Sequence, residues 1–270
     1  MTPDAVSVGR VAELWRFPVK SFQGESMTEV TVSPTGVVGD RRYALRDVAS
    51  GKILSAKRYG VLFEAFAVTT DDGVVMTLPD GTTHRPDDAD IDEVLSDWMG
   101  FAVTLATSDP DHANGVYEFA FDIDDSPDAE WFDIDIPPGG FVDLFGAHLL
   151  TSASLATMRG HYPEGDWDVR RFRPTALIDT GDADGYVEDA WLNRIVTLGT
   201  ASVAPEVPTI RCVMPTRVQP ALGDRPPLPR DKTTSRTITD QHGSNLGVYC
   251  AIEAAGRIAV GDEVTVSATI

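Results

Sequence analysis

The C-terminal stretch "GVYCAIEAAGRIAVGDEVTVS", residues 247–267, gives the clearest indication of how this chain folds. It contains apolar segments rich in β-branched and aromatic residues, which favour strands. Gly256 and the pair Gly261-Asp262 supply residues suited to the turns between them. The stretch resembles the last hairpin of a β-barrel and predicts a strand-rich protein.

Similar segments recur upstream along most of the chain, separated by Gly, Pro or Asp-Gly turns. They are VGRVAEL (8–14), MTEVTV (27–32), RYALRD (42–47), VLFEAFAV (61–68), VVMTL (74–78), FVDLFGAHLL (141–150), TALID (175–179), RIVTL (194–198) and ASVAP (201–205). TTDDGVV (69–75) predicts a hairpin. Helices are predicted at 91–99, between Asp90 and Gly100, and at 152–160. We therefore expect a mainly β fold with some α.

These segments divide the chain into three parts. A β-rich N-terminal domain is predicted over residues 5–106 and a mixed α/β barrel-like domain over 141–268. Residues 107–140 are acidic, contain Pro and Gly, and are predicted to form a long connection with few secondary-structure elements.

The net charge of −20 excludes several classes of partner. The chain has 42 acidic residues against 22 basic ones, and such a surface repels nucleic acid and anionic membranes. No apolar run approaches the length of about 20 residues that a membrane helix needs, and the first residues lack the layout of a secretory signal. We expect a cytoplasmic protein that binds neither nucleic acid nor membrane.

The chain has two cysteines, Cys212 and Cys250, far apart in sequence. This number excludes a disulfide framework, a zinc finger and a four-thiolate iron–sulfur cluster within the chain. Cys250 lies in an apolar strand and is interpreted as a small buried hydrophobe. Cys212 lies in "TIRCVMPTRVQP", residues 209–220, where Arg211 favours a thiolate and Pro215 stiffens the loop. It is therefore a candidate soft-metal ligand or nucleophile, although the five scattered histidines leave a His-based metal site or a Cys/His pair open.

Three clusters of basic residues stand out in so acidic a chain. One is "FPVKSFQG" (17–24) together with "GDRRYALRD" (39–47), the second is "SAKRYG" (55–60), and the third is "DVRRFRPT" (168–175). Each cluster alone is as well explained by surface salt bridges. Arg and Lys beside Ser, Gly and backbone amides are, however, what a phosphate-bearing anion requires. Since one thiolate cannot hold a metal alone, the pattern suggests an anionic cofactor that carries its own metal ligands.

In their order and separation, these residues resemble the MOSC proteins, named for the C-terminal domain of molybdenum cofactor sulfurases, and especially their amidoxime-reducing members. "FPVKSFQG" and "GDRRYAL" are similar to the family's N-terminal β-barrel, and "SAKR", "LLTSASL", "RRFRP", "RCVMPT" and "GVYCAIEAAGRIAVGDEV" to its later landmarks. The resemblance implies an N-terminal MOSC barrel domain followed by a mixed α/β MOSC β-barrel domain.

The resemblance also implies a function and a set of site residues. Cys212 becomes the catalytic residue and the protein ligand to molybdenum in a pyranopterin molybdenum cofactor. The expected activity is reduction of N-hydroxylated or related N-oxygenated small molecules, with electrons from a separate donor protein. The candidate cofactor-binding residues are Lys20, Ser21, Arg41, Arg42, Ser55, Lys57, Ser152, Ser154, Arg171, Arg173, Arg211 and Thr216.

The chain departs from the family pattern at two places near these residues. "PTRVQP" follows the cysteine where amidoxime-reducing members usually read Thr-Thr-Val-Asp-Pro, so that Gln219 replaces the acid, and Thr175 stands where asparagine is common. Both changes bear on substrate range. Two alternative functions remain: a sulfur carrier with a persulfide on Cys212, and a non-catalytic binder or carrier of the cofactor.

The acidic, lysine-poor composition also generates a prediction about stability. In a salty cytoplasm, counterions screen the self-repulsion of such a surface. We expect the unfolding free energy to rise when KCl is increased from low to molar concentration, measured by denaturant titration. Equal stability in both salts would contradict this hypothesis.

Overall fold

The structure, a computed structural model, describes residues 5–122 and 126–267. Residues 123–125 of the predicted connection and residue 268 of the predicted C-terminal domain lie outside the described residues. The described part contains 18 strands: β1 (Val6–Arg16), β2 (Glu25–Met27), β3 (Glu29–Ser33), β4 (Gly36–Val37), β5 (Tyr43–Asp47), β6 (Phe66–Thr70), β7 (Gly73–Thr77), β8 (Thr83–His84), β9 (Val103–Thr107), β10 (Val116–Phe119), β11 (Phe132–Asp135), β12 (Ala147–Thr151), β13 (Ala176–Asp179), β14 (Val196–Leu198), β15 (Ala201–Ile210), β16 (Asn245–Ala254), β17 (Gly256–Ala259) and β18 (Glu263–Val266).

Seven of these strands close into a barrel in the order β13-β12-β16-β15-β14-β18-β1, with β1 returning to pair with β13. Strands β12 and β13 are parallel, and the other barrel pairs are antiparallel. The first strand of the chain therefore completes a barrel whose other strands all come from residues 147–266. The predicted mainly β fold with a barrel is confirmed.

The barrel closes around an apolar core formed by the inward-facing residues of its strands. Leu14, Leu149, Val203 and Val248 are each at most 1% exposed in this core. Cys250 lies among them and is fully buried, which confirms its interpretation as a buried hydrophobe. Burial raises the pKa of the Cys250 thiol above its ordinary value, so this sulfur stays protonated.

Smaller sheets and a separate core make up the N-terminal half. Strands β5 and β9 pair, β6 to β8 form a three-stranded sheet, and β3 and β4 join β17 from the end of the chain. The predicted hairpin is confirmed, with Thr70 opposite Gly73. Residues 61–64, expected to be extended, instead belong to a 3-10 helix over Gly60–Glu64, because Leu62 and Phe63 both turn into the N-terminal core.

Three α-helices lie in the described residues: α1 (Ile91–Met99), α2 (Ser152–His161) and α3 (Lys232–His242). The first two were predicted, and Gly100 ends α1 in the left-handed conformation. Asp90 precedes α1 without a side-chain capping bond. Helix α3 was not predicted, because Ile238 is its only apolar residue and the segment shows no helical period, although Asp231 caps it by accepting from two backbone amides.

Gly247 tests how tightly the barrel packs beside β12. Its φ is +80°, and a Cβ there would lie 2.5 Å from both His148 Nε2 and the carbonyl oxygen of Leu149. We expect Gly247→Ala to lower the unfolding free energy by about 3 kcal/mol, from backbone strain plus overpacking. The control Gly181→Ala, at φ +61° with open space around the Cβ, should cost about 1 kcal/mol. Equal losses in urea denaturation would contradict the packing argument.

Candidate functional site

A cavity of about 560 Å³ lies between the N-terminal half and the barrel. It receives residues from both halves, which explains why distant sequence clusters meet there. Among the residues predicted for the site, those that line it are Lys20, Ser21, Arg41, Ser55, Lys57, Arg171, Arg173, Arg211 and Cys212.

Two buried lysines share one carboxylate at the cavity wall. The Nζ atoms of Lys20 and Lys57 each lie 2.5 Å from an oxygen of Asp143. Both ammonium groups also lie over the ring of Tyr117, at 4.6 and 4.3 Å from its centroid. This arrangement fixes two positive charges side by side.

The charges of this cluster shift one another's pKa values. Burial lowers the pKa of Lys20 to about 8, although the nearby Asp143 carboxylate opposes the shift. Burial acts to raise the pKa of Asp143, but the two ammonium groups outweigh it and hold that pKa well below its ordinary value. Asp143 is therefore a carboxylate at neutral pH.

Three cavity residues have a strained backbone. Ser21, Arg41 and Arg173 have φ values of 68°, 45° and 54°, in the left-handed region that such residues rarely adopt. Each conformation costs of order 1–3 kcal/mol and persists because surrounding contacts impose it. Strain of this kind concentrates at ligand sites, so it supports this cavity as the functional site.

Arg41 and Arg173 are the two guanidinium groups placed over the ring of Phe17, at 4.6 and 3.9 Å. Arg173 donates from Nη1 to the carbonyl oxygen of Phe22 at 2.7 Å, and Arg41 pairs with Asp40. Burial lowers the pKa of Arg173 to about 9. The Phe17 ring therefore supports both guanidinium groups, and both present positive charge to the cavity.

Arg171 and Arg211 line the cavity but use their guanidinium groups to hold backbone. Arg171 donates to the carbonyl oxygens of Asp166, Pro215 and Pro229 at 2.8 to 2.9 Å. Arg211 donates to the carbonyl oxygen of Leu246 from Nε at 2.9 Å and to that of Phe172 from Nη1 at 3.1 Å. These bonds fix the loop on both sides of Cys212.

Cys212 lies between the end of β15 and a 3-10 helix at Met214–Thr216. It is 8% exposed and lines the cavity, whereas Cys250 is enclosed in the barrel core. Pro215 stands at the start of the 3-10 turn, and the Ser235 hydroxyl donates to the carbonyl oxygen of Cys212 at 3.4 Å. The sulfur is thus carried on a fixed loop at the cavity wall.

Four of the predicted site residues do not line the cavity. Arg42 donates to the carbonyl oxygen of Ser108, and the Thr216 hydroxyl donates to that of Val213. Ser152 contacts Thr180, and the Ser154 hydroxyl bonds the buried carboxyl of Glu188. Burial raises the pKa of Glu188, while the hydroxyl donors of Thr151 and Ser154 oppose that shift.

Sequence reasoning missed several residues of the cavity: Asp143, Tyr117, His148 and Tyr249. Burial, then the nearby Arg211 charge, lowers the pKa of His148 well below its ordinary value, and Arg211 donates to its Nε2 at 2.6 Å. His148 is therefore a neutral acceptor. Strand alternation gave a usable signal for Tyr249, which faces away from the core that holds its neighbour Cys250. Nothing distinguished Asp143 among the other aspartates.

The two departures from the family pattern differ in position. Thr175 lines the cavity, where its hydroxyl accepts from the backbone amide of His148 at 3.1 Å. Gln219 is 2% exposed, does not line the cavity, and pairs through its backbone with Leu228. Of the two, Thr175 is the one placed to affect a ligand.

The cavity is cationic in an acidic protein. Six arginine and lysine side chains line it against the two carboxylates of Asp133 and Asp143. Within the described residues, no group of three or more His, Cys, Asp or Glu side chains could hold a metal ion. A metal beside Cys212 would need most of its ligands from an anionic cofactor, and the donors and charges of the cavity fit such a group.

Asp143 is expected to be the counter-ion on which the lysine pair depends. Asp143→Asn should lower the unfolding free energy by on the order of 3 kcal/mol at neutral pH, because two buried ammonium groups lose their partner. The loss should shrink as pH rises toward about 8 and be smallest above it, because Lys20 without its carboxylate partner releases its proton at a lower pH than in the wild type, where its pKa is about 8.

Denaturant titrations at several pH values measure this effect. The control Asp133→Asn removes a half-exposed carboxylate that pairs with Lys52, and it should cost less than about 1 kcal/mol. A loss for Asp143→Asn no larger than the control, or independent of pH, would contradict the assignment.

Across the described residues, no helix is both long enough and apolar enough to cross a membrane.

Comparison with known proteins identifies the domains. Residues 8–114 match the model of the MOSC N-terminal beta barrel domain, and residues 141–265 match the MOSC domain. MOSC domains are associated with molybdenum cofactor sulfurase-like proteins. No curated protein matches the chain significantly.

Among solved structures, the chain is similar to the YuaD protein from Bacillus subtilis, with 11% identity and a TM-score of 0.48 over 98% of this chain and 99% of that one. It is also similar to a hypothetical protein, with 9% identity and a TM-score of 0.42 over 98% and 70% of the two chains. YiiM from Geobacillus stearothermophilus matches with 15% identity and a TM-score of 0.33 over 46% and 54%. Since the two domain models together match most of the sequence, the chain belongs to the MOSC proteins that join an N-terminal MOSC β-barrel domain to a MOSC domain.

Proposed function

We propose that the cavity binds the molybdenum cofactor and that the protein uses it to reduce N-hydroxylated or related N-oxygenated small molecules. The observation that carries this proposal is the position of the Cys212 thiol. It lies at the wall of a cavity that Lys20, Lys57, Arg41 and Arg173 also line. A soft sulfur ligand and a set of cations are complementary to a phosphate-bearing pterin that brings its own metal.

The basic residues of the cavity have different roles in binding such a cofactor. Arg41 and Arg173 offer planar guanidinium groups over Phe17, suited to two-point contacts with phosphate oxygens. Lys20 and Lys57 add two ammonium charges whose positions Asp143 fixes. Arg171 and Arg211 hold the backbone around Cys212, so the sulfur is already in place before a cofactor binds.

The chemistry supplied by the bound cofactor is a two-electron reduction at molybdenum that cleaves the N–O bond of the substrate. Converting an N–OH compound to the amine consumes two electrons and two protons and releases water. The chain contributes the Cys212 thiolate as a ligand and keeps nearby groups in defined protonation states. Burial, aided by Asp143, raises the pKa of Tyr249 and keeps its phenol protonated at the cavity wall.

The electrons come from a separate donor protein. The sequence has two cysteines, too few for an iron–sulfur cluster, and no dinucleotide-binding glycine pattern. The proposal therefore assigns to this chain the binding of cofactor and substrate, and to a partner the supply of reducing equivalents.

Molybdenum content and turnover measured together test the proposal. Wild-type protein should contain about one molybdenum per chain and reduce benzamidoxime with an artificial electron donor. Cys212→Ala should lose activity, because the remaining ligands do not replace the thiolate. Cys250→Ala, which changes the buried cysteine, is the matched control and should retain both metal and activity.

Arg173→Glu allows a second test, in which the amount of bound cofactor is measured and turnover is not required. Molybdenum and oxidised pterin fluorescence should both fall, while Arg173→Lys should restore part of the retention by keeping the positive charge. Arg257→Glu, at an exposed position, is the control. Retention unchanged in Arg173→Glu would remove this residue from the cofactor site.

Two outcomes would overturn the reductase, and a third would remove Cys212 from its mechanism. Full metal content with no reduction by any donor would indicate a cofactor carrier. Sulfide released from metal-free protein by a reductant would indicate a persulfide on Cys212. Wild-type activity in Cys212→Ala would contradict the role of the thiolate.

A further inference from the structure

One face of the β10–β11 hairpin forms a continuous wall of the cavity. Side chains of a strand alternate between its faces, so Tyr117 and Phe119 point the same way, and Phe121, two residues past the end of β10, packs its ring against Phe119. Strand pairing places Phe132 opposite Phe119 and Ile134 opposite Tyr117. All five side chains line the cavity, and we call this set the aromatic wall.

Exposure changes along the aromatic wall. Tyr117 is 4% exposed and carries the two lysine ammonium groups over its ring. Phe121 is 68% exposed and Phe132 is 41% exposed. The rings of Phe119 and Phe121, and of Phe121 and Phe132, pack edge to face with centroids 5.0 and 6.2 Å apart. The inner end is therefore cationic and buried, and the outer end is an open aromatic surface.

The outer end has few features that would attract a charged ligand. Leu144 and Ile210, also cavity-lining, are 52% and 45% exposed. Asp133, between Phe132 and Ile134, is already paired with Lys52, so its carboxylate adds no free charge to this end of the cavity. Large exposed apolar side chains grouped at a cavity are typical of a ligand-binding surface.

The aromatic wall lies between the two domain matches, because the first ends at residue 114 and the second begins at residue 141. The cavity thus combines walls from two matched domains with one wall from an intervening hairpin. A specificity that resides in this hairpin would be a property of the chain and not of the domains that flank it.

We propose, resting on the proposed function, that Phe121 and Phe132 select substrates that carry an uncharged aromatic ring beside the N–OH-bearing group, as benzamidoxime does. The ring of such a substrate packs on the outer end of the wall, while its N–OH group reaches inward toward Cys212. Small aliphatic N–OH compounds bind without this contact. Aromatic packing of this kind changes binding by about two- to tenfold for a pair of rings, which gives the expected size of the effect.

The test compares benzamidoxime with acetamidoxime on the molybdenum-loaded protein. In Phe121→Ala/Phe132→Ala, the ratio of kcat/KM for benzamidoxime to that for acetamidoxime should fall about tenfold. The Kd of benzamidoxime, measured by calorimetry without an electron donor, should rise by a similar factor. Molybdenum content should match the wild type. Val260→Ala, an exposed apolar residue outside the cavity, is the control and should change neither ratio nor Kd.

The outcomes separate this inference from the proposed function. If wild-type protein binds benzamidoxime but reduces nothing, the reductase fails, and the Kd comparison still tests the wall. If the double variant keeps the wild-type ratio and Kd, the inference is overturned. Equal losses for both compounds would also overturn it, because a wall that selects rings must distinguish the two.

Discussion

Several cationic side chains are held side by side at one cavity, and the surrounding structure is arranged to stabilise them there. Bringing cations out of water and near one another is costly unless each has a compensating partner. The protein meets this cost in three ways: the Asp143 carboxylate between Lys20 and Lys57, aromatic rings beneath Arg41 and Arg173, and backbone carbonyls around Arg171 and Arg211. Strained backbone at Ser21, Arg41 and Arg173 is part of the same arrangement.

The barrel positions the sulfur relative to these charges. Strand β1 closes a barrel formed otherwise by the C-terminal half, which places the N-terminal cations against the end of β15. Cys212 follows that strand on a loop fixed by Pro215, Arg171 and Arg211. The cavity therefore requires both halves of the chain, and no sequence cluster forms it alone.

Several of the site residues that the sequence predicted belong to residue types that are uncommon in this chain, such as lysine and cysteine. Lysines are scarce and acidic residues outnumber basic ones 42 to 22, so the clusters around Lys20, Lys57 and Arg173 were recognisable, and the neighbours of Cys212 distinguished it from Cys250. Asp143 was not recognisable, because one carboxylate among many carries no local signal. The alternation of Tyr117 and Phe119 was not recognised, because the surrounding segment is acidic and was predicted to be a connection. Helix α3 was not recognised, because nearly all of its residues are polar and show no apolar period. Arg42, Ser152, Ser154 and Thr216 lie in the expected motifs, yet their side chains bond elsewhere, which depends on tertiary packing.

The central claim is that the thiol at the cavity wall completes the coordination of a metal held by a cation-bound cofactor. The most direct measurement is anomalous X-ray diffraction at the molybdenum absorption edge from crystals of protein purified with its cofactor. We expect a single strong anomalous peak within bonding distance of Cys212 Sγ, inside the cavity lined by Lys20, Lys57, Arg41 and Arg173. A molybdenum peak elsewhere in the molecule, with the Cys212 sulfur unligated, would contradict it.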